Sequence, residues 1–180
     1  MAGSLIVDYL QTQANALTVQ TSTGATIFTA NTSGLYSSTG LLTAVNQTNA
    51  TLANVTITGI QETDNISATS ANATINFDIL TQSVLYYTTN ATGNFTINFR
   101  GNANQTLNNT IATGASVSAT FLNTNGSTAY YNSSVQVDGT TSGVTTKWQG
   151  GTAPTTGNAS AVDVYTYTII KTASATYTVL

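Results

Sequence analysis

Strong helix formers are almost missing from this chain, and that shortage constrains its fold more than any other feature. Among 180 residues Glu62 is the only glutamate, lysine stands only at 147 and 171, and Arg100 is the one further base. Thr, Val, Ile, Tyr and Phe, which suit a pleated and half-buried strand, take the place of helix formers. Asn, Ser and Gly supply the turns. Hydrophobic residues make up 41% of the chain, enough for a core, so the low charge does not signal disorder. The expectation is an all-β fold.

The charge content narrows the function classes. Six acids and three bases leave a net charge of −3, and charged residues are 5% of the total, against roughly 25% in ordinary soluble chains. There is no His and no Cys, which excludes a disulfide scaffold, a thiolate or imidazole metal site and a His-dependent catalytic triad. Three bases do not make a nucleic-acid-binding face, so no nucleic-acid partner is expected. A surface of hydroxyls and amides is nearly indifferent to ionic strength, and neighbouring copies do not repel one another. No run approaches the ~18–20 apolar residues of a membrane span, and no membrane insertion is expected. The start, Met1 to Leu10, lacks a basic region, and Asp8 interrupts its short apolar run, so no export signal is read there. A chain with an extracellular look and no export signal fits a virus particle, assembled in the host cytoplasm and exposed after lysis.

The pattern along the chain is one of short strands separated by turns. Ser4–Leu10, Leu17–Thr21, Ala25–Thr29, Leu35–Tyr36 and 54–60 read as thin strands with few large apolar groups each. Residues 41–52 read as a loop or short helix, and 61–65 as an exposed turn. From Ala71 the pattern is denser. Ile75, Phe77 and Ile79 alternate strictly, as do Phe95, Ile97 and Phe99. Further strands are expected at Ser83–Thr88, Ser116–Leu122, Val135–Val137, Val144–Gln149, Val162–Lys171 and Ala175–Leu180, with one helical turn from Leu107 to Ile111. Asn125-Gly126 is the strongest short hairpin signal. Turn chemistry at this spacing points to a C-terminal antiparallel β-sandwich or jelly-roll-like domain over 71–180. It follows a strand-rich N-terminal attachment or oligomerisation region over 1–70. Thin strands of this kind bury little alone, and they find burial either on the later core or between chains.

An ordered set of segments in the C-terminal hundred residues carries a resemblance. Asn94-Phe-Thr-Ile-Asn-Phe-Arg100, Gly126-Ser-Thr-Ala-Tyr-Tyr131, Val137-Asp-Gly139, Lys147-Trp-Gln-Gly-Gly151, Pro154 and Asp163-Val-Tyr-Thr-Tyr-Thr-Ile-Ile-Lys171-Thr172 together resemble a module of virion structural and fibre-like proteins. These belong to phages of marine bacteria, cyanobacteria among them. The likeness runs from about Leu80 to Leu180, and Leu5-Ile-Val-Asp-Tyr-Leu-Gln-Thr-Gln13 is similar to starts found in such proteins. The resemblance implies a non-enzymatic particle component, without saying which part of the particle.

Several residues are candidates for a site. Tyr130, Tyr131, Trp148, Tyr165 and Tyr167 offer an aromatic platform for a glycan, because ring faces stack on sugar C–H surfaces. The same rings also serve core and edge packing, and alternate strand positions point to opposite faces, so one of each adjacent pair is expected to be buried. Lys147 with Asp138 or Asp163 across a sheet makes a candidate structural ion pair. Glu62 and Asp64 suggest a weak Ca²⁺ position or, more simply, a solvated turn. Matches to N-x-[ST] recur through the chain and carry little meaning in so much Asn, Ser and Thr. No catalytic residue, cofactor or metal is expected. The function expected is a phage exterior protein: a short fibre, a tail-associated appendage or a capsid decoration. It works as a homo-oligomer, trimer favoured, beside other virion proteins, with a host-surface glycan as a further partner. The alternatives are a carbohydrate-binding adhesin and a secreted S-layer or pilus-like subunit.

Overall fold

The computed structural model describes residues 16–31, 34–37, 56, 58–59 and 61–180. The strands expected over Ser4–Leu10 and 54–60, and the loop or helix over 41–52, lie wholly or mostly outside those residues. The chain divides into two compact units, Met1–Thr56 and Ile57–Leu180. In the first, β1 (Ala16–Gln20), β2 (Thr26–Asn31) and β3 (Gly34–Ser37) form an antiparallel sheet in that order. The β1–β2 turn closes by Thr21 donating its N–H to the Ala25 carbonyl and Gly24 donating to Thr21.

The second unit is strand-dominated and its strands visit two sheets in alternation. One sheet receives β4 (Asp64–Ser70), β6 (Val84–Thr89), β8 (Ser116–Thr124), β10 (Val144–Thr146), β11 (Val162–Ala173) and β12 (Thr176–Val179), in the spatial order β10-β12-β11-β8-β6-β4. The other receives β5 (Ala73–Asp78), β7 (Phe95–Arg100) and β9 (Asn132–Val137) in sequence order. The chain therefore winds as a coil of two strands per turn, and successive turns stack with parallel pairing: β4 on β6, β6 on β8, β5 on β7 and β7 on β9. Antiparallel pairing is confined to β8–β11 and β11–β12 within this unit. The sheets are thus mixed, which corrects the expected all-antiparallel arrangement. The expected Asn125-Gly126 hairpin fails for the same reason: β8 and β9 belong to different sheets, and the segment between them crosses from one to the other. The second unit also starts ahead of residue 71, because β4 pairs with β6. The exposed turn expected at 61–65 gives way to β4 from Asp64.

Stacked turns bring like residues into register. Thr-Ile-Asn-Phe occurs at 74–77 and again at 96–99, and the two copies lie side by side, with Ile75 on Ile97, Asn76 on Asn98 and Phe77 on Phe99. Val135 and Val137 on β9 continue the inward rows beside Ile97 and Phe99. Ile75, Ile97, Phe77, Phe99, Val135 and Val137 are all buried. Asn98 donates its side-chain N–H to Asn76 Oδ1 at 2.8 Å and accepts from Gly139 N at 2.7 Å, an amide ladder of the kind that in-register stacking favours. Beside it Arg100 Nε meets Asp78 Oδ1 at 2.5 Å, the only ion pair among the described residues. Rings join residues of the two sheets into one core: Phe95 against Phe121 at 5.3 Å and Phe99 against Tyr167 at 5.1 Å, both near edge-to-face.

The expected helical turn is present as α1 (Leu107–Thr110), capped by Thr106 Oγ1, and it ends at Ile111, ahead of Gly114. Charges hold it at both ends. Asp138 accepts from Leu107 N at 2.7 Å and Asn108 N at 3.1 Å. Lys171, only 6% exposed, donates from Nζ to the carbonyls of Asn108 at 2.5 Å and Ile111 at 3.0 Å. Each sign matches the helix dipole it faces. Asp138 reaches α1 because Asp138-Gly139 forms a two-residue turn with both φ values positive, 52° and 80°, bracketed by reciprocal bonds between Val137 and Thr140.

Candidate functional site

The residues singled out for a glycan face divide by location. Tyr167 is buried and its hydroxyl is bonded by Asn132 Nδ2. Burial raises the pKa of that phenol far above its ordinary value, and raises those of Tyr165 and Tyr87 less strongly. Tyr165 and Tyr167 sit two apart on β11 and stack at 6.5 Å, on the side of the strand that meets the core. Tyr130 packs against the core, and its backbone carbonyl accepts from Asn125 Nδ2 at 3.0 Å. Tyr131 donates its N–H to Asn94 Oδ1 at 3.2 Å. The five aromatics therefore do not form one platform, since strand alternation and core packing claim most of them.

Three residues meet in one place. Lys147, Trp148 and Tyr165 line a groove of about 700 Å³ with Val164, Thr166 and Leu180 among the other walls. Gln149, Thr152 and Pro154 close it from the segment that follows β10. Trp148 is anchored at its inner side by an edge contact with Tyr167 at 6.2 Å. Val164 and Leu180 are 60% and 52% exposed, so part of this wall is open apolar surface. Lys147 is exposed and pairs with neither Asp138 nor Asp163, which corrects the expected ion pair.

Both carboxylates have other work. Asp138 caps α1, as described above. Asp163 is buried at 8% exposure and is held by amides: Asn125 Nδ2 at 2.9 Å, Asn158 N at 3.0 Å and Asn158 Nδ2 at 2.6 Å. Asn125 in turn accepts from Tyr130 N at 3.1 Å and Asn123 Nδ2 at 3.0 Å. This cluster ties the β8–β9 crossing and the loop before β11 to the start of β11. Gly157 has no room for a side chain there: a Cβ would lie 2.7 Å from both Asn125 Nδ2 and Asp163 Oδ2. Comparison of the chain with protein-family models, with curated proteins and with solved structures gives no match. The groove and the polar cluster are therefore read from their own chemistry.

Glu62 and Asp64 are exposed, and Glu62 Oε2 accepts from Ser83 Oγ at 3.1 Å. Among the described residues no group of three or more acidic side chains converges on a metal-sized position. Tyr177, directly across from Lys171 on β12, is buried with an unpartnered hydroxyl. Burial, and secondarily the nearby Asp138 charge, push its pKa up to about 12. Sequence reasoning did not select Asn123, Asn125 and Asn158, because an Asn in a turn-like stretch reads as turn chemistry whether or not its amide is buried.

Proposed function

We propose that this chain is a non-enzymatic structural protein on the exterior of a bacteriophage particle, a short fibre or tail-associated appendage. It acts as a homo-oligomer, with a trimer favoured, beside other virion proteins, and is assembled in the host cytoplasm. On this reading the two sheets of the second unit make a two-layer sandwich that faces outward, with the parallel coil in place of jelly-roll winding. The N-terminal strands serve attachment or pairing between copies. The observation that carries the reading is where the charge goes. Asp78 with Arg100, Asp138, Asp163 and Lys171 are engaged by one another, by backbone or by amides, and much of the exposed surface is Thr, Ser and Asn. Such a body stacks closely with its own kind without repulsion and keeps its contacts at high salt. The likeness of residues 80–180 to phage virion modules points the same way, and a capsid decoration is the variant with the same physics. The test is mass spectrometry of gradient-purified particles. The chain is expected in multiple copies per particle, and its absence would sink the reading.

A second reading, a carbohydrate-binding adhesin, has the groove as its specific observation. Trp148 and Tyr165 supply ring surface, Gln149 and Thr152 supply polar groups, and Lys147 supplies a charge. Glycan-array binding that is lost on Trp148→Ala would favour it.

A further inference from the structure

We infer that the groove beside Lys147 is the acceptor for β4 of a second copy, so that copies add edge to edge and extend one sheet from chain to chain. The inference rests on the homo-oligomer part of the proposed function and names the surfaces that make it. The six-stranded sheet has two unpaired edges that matter here. On one side β12 covers β11 only from Ile169 to Ala173, with Thr168 and Leu180 exchanging one further pair of backbone bonds. Backbone groups on a strand alternate in direction, so those of Thr166 and Val164 point the same way as those of Thr168. No strand is paired to that edge among the described residues, and the groove lies along it. On the other side β4 is the last strand, paired only to β6 and regular in register over Asp64–Ser67. Six of its side-chain neighbours in sequence lie open enough that Ile66 is 70% exposed. β4 holds no Lys or Pro, the residues that ordinarily blunt an edge.

Direction and charge select the pairing. β4 runs parallel to β6, β6 parallel to β8, and β8 antiparallel to β11. A neighbouring copy whose sheet continues this one with the same face outward therefore lays its β4 antiparallel to β11, in the direction that β12 already runs. The Asp64 end then arrives beside Leu180, level with Lys147, whose N–H is bonded to the Val179 carbonyl. Lys147 has no anionic partner among the described residues. Two residues further, Ile66 falls against the apolar wall of Val164 and Trp148. An interface built from two different edges is heterologous, and it closes into a ring or grows into a fibre according to the rotation per copy.

The chain has no cysteine, which makes a direct test clean. The Asp64→Cys, Lys147→Cys double variant, mildly oxidised, is expected to give disulfide-linked multiples of the 18.6 kDa chain, and each single variant is expected not to do so through this pair. In analytical ultracentrifugation, Asp64→Lys or Lys147→Asp should lower the mass to that of one chain, the double reversal should restore it, and Ile66→Lys should abolish it. Circular dichroism checks that each variant is folded. A monomeric parent, or an oligomer indifferent to all these changes, overturns the inference. So does a saccharide that occupies the groove without altering the oligomer. If particles carry the protein yet its copies fail to link through these edges, this inference falls and the proposed function stands.

Discussion

Replacing Asp163 by Asn keeps the shape of the side chain and removes its charge, and the structure says what that costs. The carboxylate receives three N–H donors, at 2.9, 3.0 and 2.6 Å, two on one oxygen and one on the other. A carboxamide has one acceptor oxygen and a donor NH₂. If its oxygen takes the place of Oδ2, the new NH₂ faces the Asn158 amide donor; in the reverse orientation it faces both other donors. Hydrogen bonds to a charged acceptor contribute about 1.5–3 kcal/mol, and a buried donor left unsatisfied costs about 1–3 kcal/mol. Asn158 is exposed and partly rehydrates, so the smaller penalty applies on its side. The expected loss is about 3 kcal/mol, and Asp163→Ala should lose a similar amount. At about 4 °C per kcal/mol for a domain of this size, the Tm falls by about 12 °C. Urea unfolding followed by Trp148 fluorescence reads the same quantity, with the midpoint lowered and the slope unchanged. A loss below about 1 kcal/mol would refute the assignment of Asp163 as the anchor of the β8–β9 crossing.

Three further outcomes are expected. Tyr177 titrates at about 12 in the folded state against about 10 unfolded, so the folded state holds its proton longer and stability falls as pH rises through that interval, by about 1.4 kcal/mol per pH unit for each such tyrosine. Phenolate absorbance should therefore rise together with loss of circular dichroism above about pH 10, and free titration of every tyrosine in a folded protein would contradict this. Ala175 occupies the left-handed region at φ 48° in the two-residue turn between β11 and β12; Ala175→Gly should raise stability by about 1 kcal/mol, read as a higher urea midpoint. Phe99→Ala removes a fully buried ring that touches both Phe77 and Tyr167, and calorimetry should show a loss of about 3–5 kcal/mol.

The inward faces were legible because period-two alternation reports burial directly. Ile75 and Phe77, then Phe95, Ile97 and Phe99, were assigned to a face that the structure buries. Pairing was not legible by the same means, since alternation is identical for parallel and antiparallel neighbours. The repeated Thr-Ile-Asn-Phe at 74–77 and 96–99 was the signal that could have revealed in-register stacking. β4 escaped notice because Asp-Asn-Ile-Ser-Ala-Thr-Ser has one large apolar residue, which is enough for an edge strand and too little for an amphipathic pattern. Asn125-Gly126 misled because turn propensity belongs to the dipeptide, whereas the role of Asn125 is set by Asp163, distant in sequence. The charged residues were misassigned for a related reason: Asp138 and Lys171 bind backbone groups of α1, and backbone partners leave no mark in a sequence. Of the aromatic set, only Trp148 and Tyr165 reach the groove, because successive residues of β10 and β11 divide between core and surface.

A native particle imaged by electron cryomicroscopy, with gold-labelled antibody against the second unit, addresses the central claim most directly. The account predicts label on the outside of intact particles, at a symmetric appendage containing several copies of this chain. Label confined to host debris, or appearing only after particles are disrupted, would contradict it.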